Sequence, residues 1–402
     1  MSVILITGAA GFTGRQACAY FSERGLTVIA VVRPKPEGDL PTADFAGPGA
    51  STDGSQQTAA TETSGIEVAP NRTTLNGEAA SVPSAPSMSS ASALSSPSAP
   101  STQSASPSSS PSAPSMSSAS ALSSPSAPST QSPSPSSPLS FPSPPTGPII
   151  EWPCDLTRAD DVRRLIAETL PDLVLHLAGR NAVGESWREP LGYLQANVMS
   201  TFNLLDALRA RPASRIVVAG SMLGFPASER PDPPHPYSLS KAFQAWGALG
   251  WGRLFGQPVI VAKPSNLIGP GPSTGICALL ARRAAELEKG RQAPPFSLSS
   301  AIEERDYLDV RDAVRAYEAL LAAGEPGGVY PVASGVNRSL GAVAAAVQQQ
   351  LGRPLPLRIG SLDGYLPPAP VDIAPMCALG WRPVIPFEQS LRDALDYFRT
   401  TV

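Results

Sequence analysis

Three side chains of this sequence have the types and spacing needed to move a proton to or from an oxygen atom. Tyr237 and Lys241 are four residues apart at the start of a predicted helix, so they share one face of it, one turn apart. An ammonium group beside a phenol favours the phenolate, so we expect Lys241 to lower the pKa of Tyr237 and make it a general acid or base near neutral pH. Ser221, at the end of a predicted strand, is placed to hydrogen-bond the reacting oxygen. An ordinary surface Tyr and Lys is the alternative.

A glycine-rich turn near the N-terminus is the second feature with chemical meaning. The stretch "TGAAGFTG" follows the apolar run "VILI" and opens a predicted helix. Gly8 permits a tight turn, Gly11 lets the backbone approach a pyrophosphate, and Gly14 lets the helix pack closely on the strand. The helix N-terminus, with Phe12 and Thr13, then offers N–H groups to phosphates. The turn predicts a dinucleotide site, against the alternative of a purely structural turn.

The end of the second predicted strand bears on which dinucleotide binds. NAD sites usually place an acid here for the adenosine ribose hydroxyls. The stretch "TVIAVVR" has no acid and ends with Arg33, whose guanidinium suits a ribose 2′-phosphate. The sequence therefore favours NADP, with NAD as the second choice and a solvated arginine as the structural alternative.

Strand-like and helix-like runs alternate along most of the chain, which favours an α/β fold with a doubly wound parallel (Rossmann) sheet. The predicted strands lie at 3–7, 27–33, 172–179, 215–221 and 258–266, and one more begins at 149. The predicted helices lie at 14–25, 158–170, 191–210 and 238–256.

A Ser/Pro/Ala-rich segment interrupts this alternation between the second and third strands. It holds two identical copies of a 21-residue stretch at 84–104 and 112–132, and no charged residue occurs from Ser81 to Ile150. Such a composition buries too little apolar surface to offset the entropy of ordering, so we expect 35–148 to be disordered. Its role is open between a tolerated spacer and a phosphorylation or protein-binding segment. The expected domains are 1–34 with 149–265 for the dinucleotide, and 266–402 mainly as a small substrate-binding lobe.

The overall composition argues against several classes of function. The formal net charge is −3, which gives no case for nucleic acid or a membrane surface. The four cysteines form no CxxC pair, so we expect no metal site and a cytoplasmic protein. Of the two histidines, His176 is expected to be structural, and His235 to be incidental rather than catalytic.

Several motifs occur in an order that resembles one known family. These are the glycine turn, "CDLT", "HLAG", "ANVMSTFNLLDAL", a Ser, "YSLSK", "KPSNLIGPG" and "RDYLDVRDAVRAY". Together they resemble the extended short-chain dehydrogenase/reductases that act on nucleotide sugars, over 1–34 and 149–400. The resemblance implies a homodimer through the helices near 191–210 and 238–256.

The resemblance also implies roles for individual residues. Ser221, Tyr237 and Lys241 would be the catalytic set, with Lys241 also holding the nicotinamide ribose. The remaining contacts would be Asp155 and Leu156 at the adenine, Ala178 and Gly179 along the cofactor, and Asn266 and Arg305 at the sugar nucleotide. The family usually has Ala-Ala where this chain has Ala178-Gly179, a small departure.

The resemblance is strongest to the branch of GDP-mannose 4,6-dehydratases and GDP-4-keto-6-deoxymannose reductases. Dehydratases of this family carry a carboxylate one or two residues after the Ser. This chain has Met222 and Leu223 there, and neither side chain can move protons. That leaves a reductase or an epimerase, and Arg33 in place of an acid favours an NADPH-dependent reductase of a nucleotide-linked 4-keto-6-deoxy sugar. An NAD-dependent nucleotide-sugar 4-epimerase and a non-catalytic NADP-binding protein are the alternatives.

Overall fold

The computed structural model describes residues 2–34, 146–210, 215–225 and 230–402. Its strands are β1 (Val3–Thr7), β2 (Thr27–Val32), β3 (Ile149–Pro153), β4 (Leu173–His176), β5 (Arg215–Ala219), β6 (Val259–Pro264), β7 (Asn266–Ile268), β8 (Phe296–Leu298), β9 (Glu304–Asp309), β10 (Val329–Val332), β11 (Asn337–Ser339) and β12 (Leu357–Ile359). Its α-helices are α1 (Phe12–Glu23), α2 (Ala159–Thr169), α3 (Val183–Arg188), α4 (Pro190–Leu194), α5 (Ser200–Ala207), α6 (Pro236–Phe255), α7 (Ile276–Glu288), α8 (Val310–Ala323), α9 (Leu340–Leu351), α10 (Ala374–Ala378) and α11 (Phe387–Thr401).

Seven strands form one parallel sheet in the order β10-β6-β5-β4-β1-β2-β3. Helices cover both of its faces, because successive side chains of each buried strand point to opposite sides. Ile4 and Ile6 of β1 pack under α1 and α8, whereas Leu5 packs under α2 and α5. The predicted doubly wound parallel sheet is confirmed.

The boundary of the Ser/Pro/Ala-rich segment differs from the prediction. Residues 35–145, for which we predict disorder, lie outside the described residues. The prediction is wrong for 146–148, which are built into the fold. The N–H of Gly147 donates to the Ser22 carbonyl at 2.7 Å, and the Ser22 hydroxyl donates back to the Gly147 carbonyl at 2.6 Å. A Cβ at Gly147 would come within 1.9 Å of the Leu26 carbonyl oxygen, so the chain enters β3 through a tightly packed glycine.

The helix predicted at 191–210 is helical but not regular. It runs as α4, a π-helical turn at Gln195–Met199, α5, and a 3₁₀ turn at Leu208–Ala210. Short π-helical segments inside α-helices are frequent at functional sites. Here the turn carries Asn197, a fully buried polar residue. No apolar pattern in the sequence distinguishes this turn from ordinary helix.

The chain after 266 builds two kinds of structure. The small sheets β11-β9-β7 and β12-β8 pack with α7, α9 and α11 around a separate apolar cluster. Within the same range, β10 completes the seven-stranded sheet and α8 covers one of its faces. In the part of the chain that the structure describes, no helix is both long and apolar enough to cross a membrane.

Candidate active site

The glycine turn is shaped by contacts that leave no room for side chains. Gly8 has φ +69°, and a Cβ there would lie 2.9 Å from backbone atoms of Ala178. A Cβ at Gly14 would lie 2.1 Å from the Gly8 carbonyl oxygen and 2.7 Å from the Ala9 Cα. At Gly11 the nearest atom is the same carbonyl oxygen, at 3.2 Å, and Gly11 itself is exposed. The structure thus places Gly8 at the tight turn and Gly14 at the helix-to-turn contact.

The first turn of α1 suits an anion. Its N-cap Gly11 makes no side-chain cap, and the first turn has no acidic residue. Phe12 and Thr13 are the first two residues of this helix, and both are half-buried. The exposed Arg33 directly follows β2, whose Val31 carbonyl accepts a hydrogen bond from Ala9 of the turn at 3.1 Å. The backbone N–H groups and the guanidinium fit a phosphate-bearing dinucleotide.

The two residues expected at the adenine lie just after β3 and differ in what they expose. The Asp155 carboxylate accepts hydrogen bonds from the backbone N–H and the hydroxyl of Thr157, at 3.0 and 2.8 Å. The Leu156 side chain is buried in the core on the α2 side of the sheet. Its carbonyl oxygen accepts a hydrogen bond from Asn203 at 2.9 Å. Asp155 is therefore the more accessible of the two.

Ala178 and Gly179 connect the glycine turn to Lys241. Ala178 contacts Gly8, as described above. Gly179 has φ +158°, and a Cβ at this position would lie 2.7 Å from Asn197 Oδ1 and 3.6 Å from Lys241 Nζ. This crowding explains the departure from Ala-Ala, since a methyl group would press against the Asn197 carboxamide. The turn, the end of β4 and the start of α6 therefore meet at one place.

Ser221 and Tyr237 are brought together as the sequence predicts. Tyr237 is buried in the first turn of α6, and its hydroxyl hydrogen-bonds Ser221, which follows β5. The predicted direction of the Tyr237 pKa is wrong. Burial raises this pKa, because the phenolate loses hydration, and the hydrogen bond from Ser221 opposes the rise only in part.

His235 caps the helix that carries Tyr237. Its Nδ1 accepts a hydrogen bond from the Ser238 N–H at 2.9 Å, and its ring stacks on that of Tyr237 with centroids 5.8 Å apart. Burial lowers the pKa of His235, which keeps Nδ1 free to accept. The contacts give His235 a structural role at the helix start, so it is not incidental, contrary to the expectation.

Lys241 lies at one end of a buried chain of hydrogen bonds. Its Nζ donates to the Ala219 carbonyl at 2.9 Å and to Gln244 Oε1 at 2.8 Å. Gln244 Nε2 donates to the Thr201 hydroxyl at 2.9 Å, and Thr201 also pairs with His176 Nε2 at 2.8 Å. We call Thr7, His176, Thr201, Lys241 and Gln244 the lysine network.

His176 is structural, as expected, and closes the lysine network on the β1 side. Its side chain is completely buried, and its Nδ1 pairs with the Thr7 hydroxyl at 2.8 Å. Burial, reinforced by the nearby Lys241 charge, lowers the pKa of His176 to about 3. The imidazole is therefore neutral at physiological pH.

Sequence reasoning missed three buried polar residues beside Lys241. Asn197 holds the loop after β4, accepting from the Arg180 N–H at 2.7 Å and donating to Ser240 at 2.8 Å. Thr201 and Gln244 are the others. Gln244 follows Lys241 by three residues on a predicted helix, a spacing that could have revealed it. For Asn197 no such signal exists, because its position depends on the π-helical turn.

Asn266 and Arg305 lie on the adjacent strands β7 and β9. Asn266 Nδ2 donates to the Asp306 carbonyl at 2.9 Å, which ties its amide to β9. The Arg305 guanidinium is about one-third exposed and pairs with Glu303, its Nε donating at 3.0 Å. In the strand register Asn266 pairs with Tyr307, two residues after Arg305, and Arg305 is already engaged by a carboxylate.

Comparison with known proteins identifies the family. The solved structure of RMD from Pseudomonas aeruginosa complexed with NADPH matches with a TM-score of 0.56 at 33% sequence identity, covering 63% of this chain and 91% of that one. The model of the NAD dependent epimerase/dehydratase family matches residues 140–333. The chain belongs to the NAD dependent epimerase/dehydratase family.

Two curated proteins are similar to this chain over part of their length. The GDP-6-deoxy-D-mannose reductase of Pseudomonas aeruginosa is 39% identical over 198 residues, which cover 46% of this chain and 65% of the reductase. The dTDP-glucose 4,6-dehydratase of Xanthomonas campestris is 28% identical over 271 residues, 60% of this chain and 76% of the dehydratase. The aligned part thus spans slightly less than two thirds of the reductase.

A second solved structure of the epimerase/dehydratase family bears on the fold. The UDP-glucose 4-epimerase of Thermus thermophilus in complex with NAD matches over 100% of both chains with a TM-score of 0.63 at 20% identity. The resemblance to nucleotide-sugar short-chain dehydrogenase/reductases is confirmed. The expected cofactor, NADP with NAD as second choice, agrees with the NADPH in the Pseudomonas aeruginosa complex.

Proposed function

We propose that this protein is an NADPH-dependent reductase of a nucleotide-linked 4-keto-6-deoxy sugar. The observation that carries the proposal is the hydrogen bond between Ser221 and Tyr237, with Lys241 one turn further along α6 and close to Gly179, in a chain similar to a GDP-6-deoxy-D-mannose reductase. One group able to donate a proton to a carbonyl oxygen lies next to a site built for a dinucleotide. This is the constellation that ketone reduction needs.

The cofactor would be held by groups already described. The N–H groups at the start of α1 would take the pyrophosphate, Arg33 the ribose 2′-phosphate, and Lys241 the nicotinamide ribose. Gly11 is exposed and carries no side chain, so a ligand could approach the backbone of the turn there. When bound, NADPH supplies the hydride.

The protein's own part in the reaction is proton transfer and orientation. The C4 ketone gains a hydride at carbon and a proton at oxygen, so the C=O bond becomes CH–OH. Tyr237 gives the proton to the oxygen, and Ser221 hydrogen-bonds the same oxygen. Burial raises the pKa of Tyr237, so the phenol is protonated and ready to donate. The Lys241 ammonium, held close by, stabilises the phenolate left behind.

The residues after Ser221 support reduction over dehydration. Met222 and Leu223, shortly after the C-terminal end of β5, are 37% and 49% exposed. The Leu223 N–H donates to the Ser221 hydroxyl oxygen at 3.1 Å, which holds this segment against the catalytic serine. Two apolar side chains at this place cannot remove a proton from C5 or assist loss of water at C6. They suit a sugar that already lacks its 6-hydroxyl.

The test is turnover of 4-keto-6-deoxy sugars linked to GDP, UDP or dTDP with NADPH, followed by loss of the reduced nicotinamide absorbance. We expect stoichiometric oxidation of NADPH with one nucleotide series. A nicotinamide that stays bound through purification, with interconversion of 4-hydroxyl epimers and no net oxidation, would support the epimerase instead. Binding that raises Tm without any turnover would support the non-catalytic alternative.

We also propose a homodimer formed by α6 and the α4–α5 helical segment. Large apolar side chains are exposed there: Met199 at 48%, Phe243 at 43% and Leu254 at 77%. Apolar patches of this kind mark interaction sites. Replacing Phe243 and Leu254 together by Glu should yield a monomer in light scattering, whereas Leu366→Glu, which changes an equally exposed leucine of the lobe, should not.

A further inference from the structure

Gln244 contacts Lys241, and the lysine network determines which end of the Gln244 carboxamide faces the Lys241 amine. The Thr201 hydroxyl has one proton, and it donates this to the Asn197 carbonyl at 2.7 Å. Toward its other neighbours Thr201 can therefore only accept. Gln244 must present its NH₂ group to Thr201, so its carbonyl oxygen faces Lys241.

The Thr201 hydroxyl also fixes the tautomer of the His176 imidazole. Because Thr201 accepts, His176 Nε2 carries the proton, and Nδ1 accepts from the Thr7 hydroxyl. The Thr7 oxygen in turn accepts from the Ala178 N–H at 3.1 Å. The donors therefore converge on Thr201: Thr7 donates to His176 and His176 to Thr201 from one side, and Lys241 donates to Gln244 and Gln244 to Thr201 from the other.

Lys241 has three N–H bonds, and two of them have carbonyl acceptors among the described residues, at Ala219 and Gln244. The third is left for a ligand. The Gln244 carbonyl holds the amine in place and interacts more strongly with an ammonium than with a neutral amine. Burial works against the ammonium, since it lowers the pKa of Lys241 to about 8.

We propose that Gln244 is a positioning residue that aims the remaining Lys241 N–H and favours the ammonium form. The inference rests on the proposed function for its purpose, because that N–H is the one assigned to the nicotinamide ribose. The titratable neighbours of Lys241 are His176 from β4 and Tyr237 one turn earlier on α6. In the described part of the chain, β5 and the π-helical turn face it with the Ala219 carbonyl and the Asn197 carboxamide.

The sequence makes a direct measurement feasible, because it contains four lysines: Lys35, Lys241, Lys263 and Lys289. Protein labelled with ¹³C at lysine Cε gives few signals, and Lys241→Met assigns the buried one. Its titration by NMR reports the Lys241 pKa with no substrate or cofactor added. A failure of the reductase assay therefore leaves this result standing, and the two outcomes are distinguishable.

We expect the Lys241 signal to titrate at least about one pH unit lower in Gln244→Met, where the acceptor is lost, and higher in Gln244→Glu, where a carboxylate replaces it. Thr201→Val, which frees the amide to turn its NH₂ group toward Lys241, should also lower it. Gln257→Met is the matched control, since Gln257 is a buried glutamine that donates to the Leu205 carbonyl at 2.9 Å, outside the lysine network.

Kinetics give the second readout. In the reductase assay, the apparent pKa in the pH profile of kcat should shift in each variant in the same direction as the Lys241 pKa measured by NMR. The pH profile of Gln257→Met should match that of the unchanged protein. Should Gln244→Met not fold, Gln244→Glu and Thr201→Val carry the test. A Lys241 titration that is the same in all folded variants, or that moves equally in Gln257→Met, would overturn the proposal.

Discussion

The glycine turn and the lysine network meet at Ala178 and Gly179, yet they are built from different materials. The turn consists of backbone atoms, and it can pack this closely because its glycines have no Cβ. A Cβ on Gly14 would lie 2.1 Å from a carbonyl oxygen. The lysine network is made of buried polar side chains that satisfy one another. The comparison teaches that one half of the site should respond to added volume, and the other to changes in hydrogen bonding and pH.

The sharpest test on the side-chain half is Tyr237→Phe. Removing the hydroxyl takes away the proposed proton donor, so turnover should fall by about 10²–10⁴-fold. The affinity for NADPH should stay within a few-fold, because the glycine turn is untouched. Steady-state kinetics and a fluorescence titration with NADPH check both parts. Turnover that survives would remove Tyr237 from the mechanism.

On the backbone half, the corresponding test is Gly14→Ala. One methyl group would force α1 away from the turn, and we expect a loss of about 3 kcal/mol or more in the free energy of unfolding, together with loss of NADPH binding. Gly184→Ala in α3 is the matched control, since nothing lies within 4 Å of a Cβ there. Chemical denaturation measures both. Equal stability of the two variants would contradict the steric account of the turn.

The response to pH should separate the halves further. The pKa of His176 is about 3 in the folded protein and 6.5 when unfolded, so the unfolded state binds a proton first as the pH falls. The stability contributed by keeping His176 neutral is complete above pH 6.5 and is lost progressively below it, with a slope of about 1.4 kcal/mol per pH unit. In His176→Gln this part of the slope should vanish in denaturation measured between pH 6.5 and 4.5. Parallel curves would argue against a neutral buried imidazole.

The smallest expected effect is on cofactor preference and comes from the exposed Arg33, which directly follows β2. Arg33→Glu should reduce the preference for NADPH over NADH by about tenfold, since it replaces a phosphate partner with a repelling charge. The effect should weaken at high salt, as for exposed charges generally. Arg392→Glu on α11 serves as the control for net charge. An unchanged preference would mean that another group selects the cofactor.

Sequence patterns were sufficient to predict features that depend on residues close together in the chain. The period of apolar residues gave the strands and the α2 face with Val162, Leu165 and Ile166, all three buried in the structure. The glycine spacing gave the turn, because only residues without a Cβ fit between β1 and α1. The spacing of Tyr237 and Lys241 gave their shared helix face.

Long-range contacts decided the rest. The pKa of Tyr237 rises because of burial under the assembled fold, which the neighbouring Lys241 in the sequence did not reveal. Asn197, in the π-helical turn, and Thr201, just after it, reach Ser240 and Gln244 of α6, residues more than 40 positions away in the sequence.

By itself, then, the sequence determined the alternating strands and helices up to residue 266 and the glycine turn, and it proposed the proton-transfer residues, since each depends on spacings shorter than one element. Only the tertiary structure decided how Lys241 is held. Its partners come from β5 and from its own helix, and the groups behind them come from β1, β4 and α5. Directions of hydrogen bonds among such distant residues exist only once the chain has folded around them.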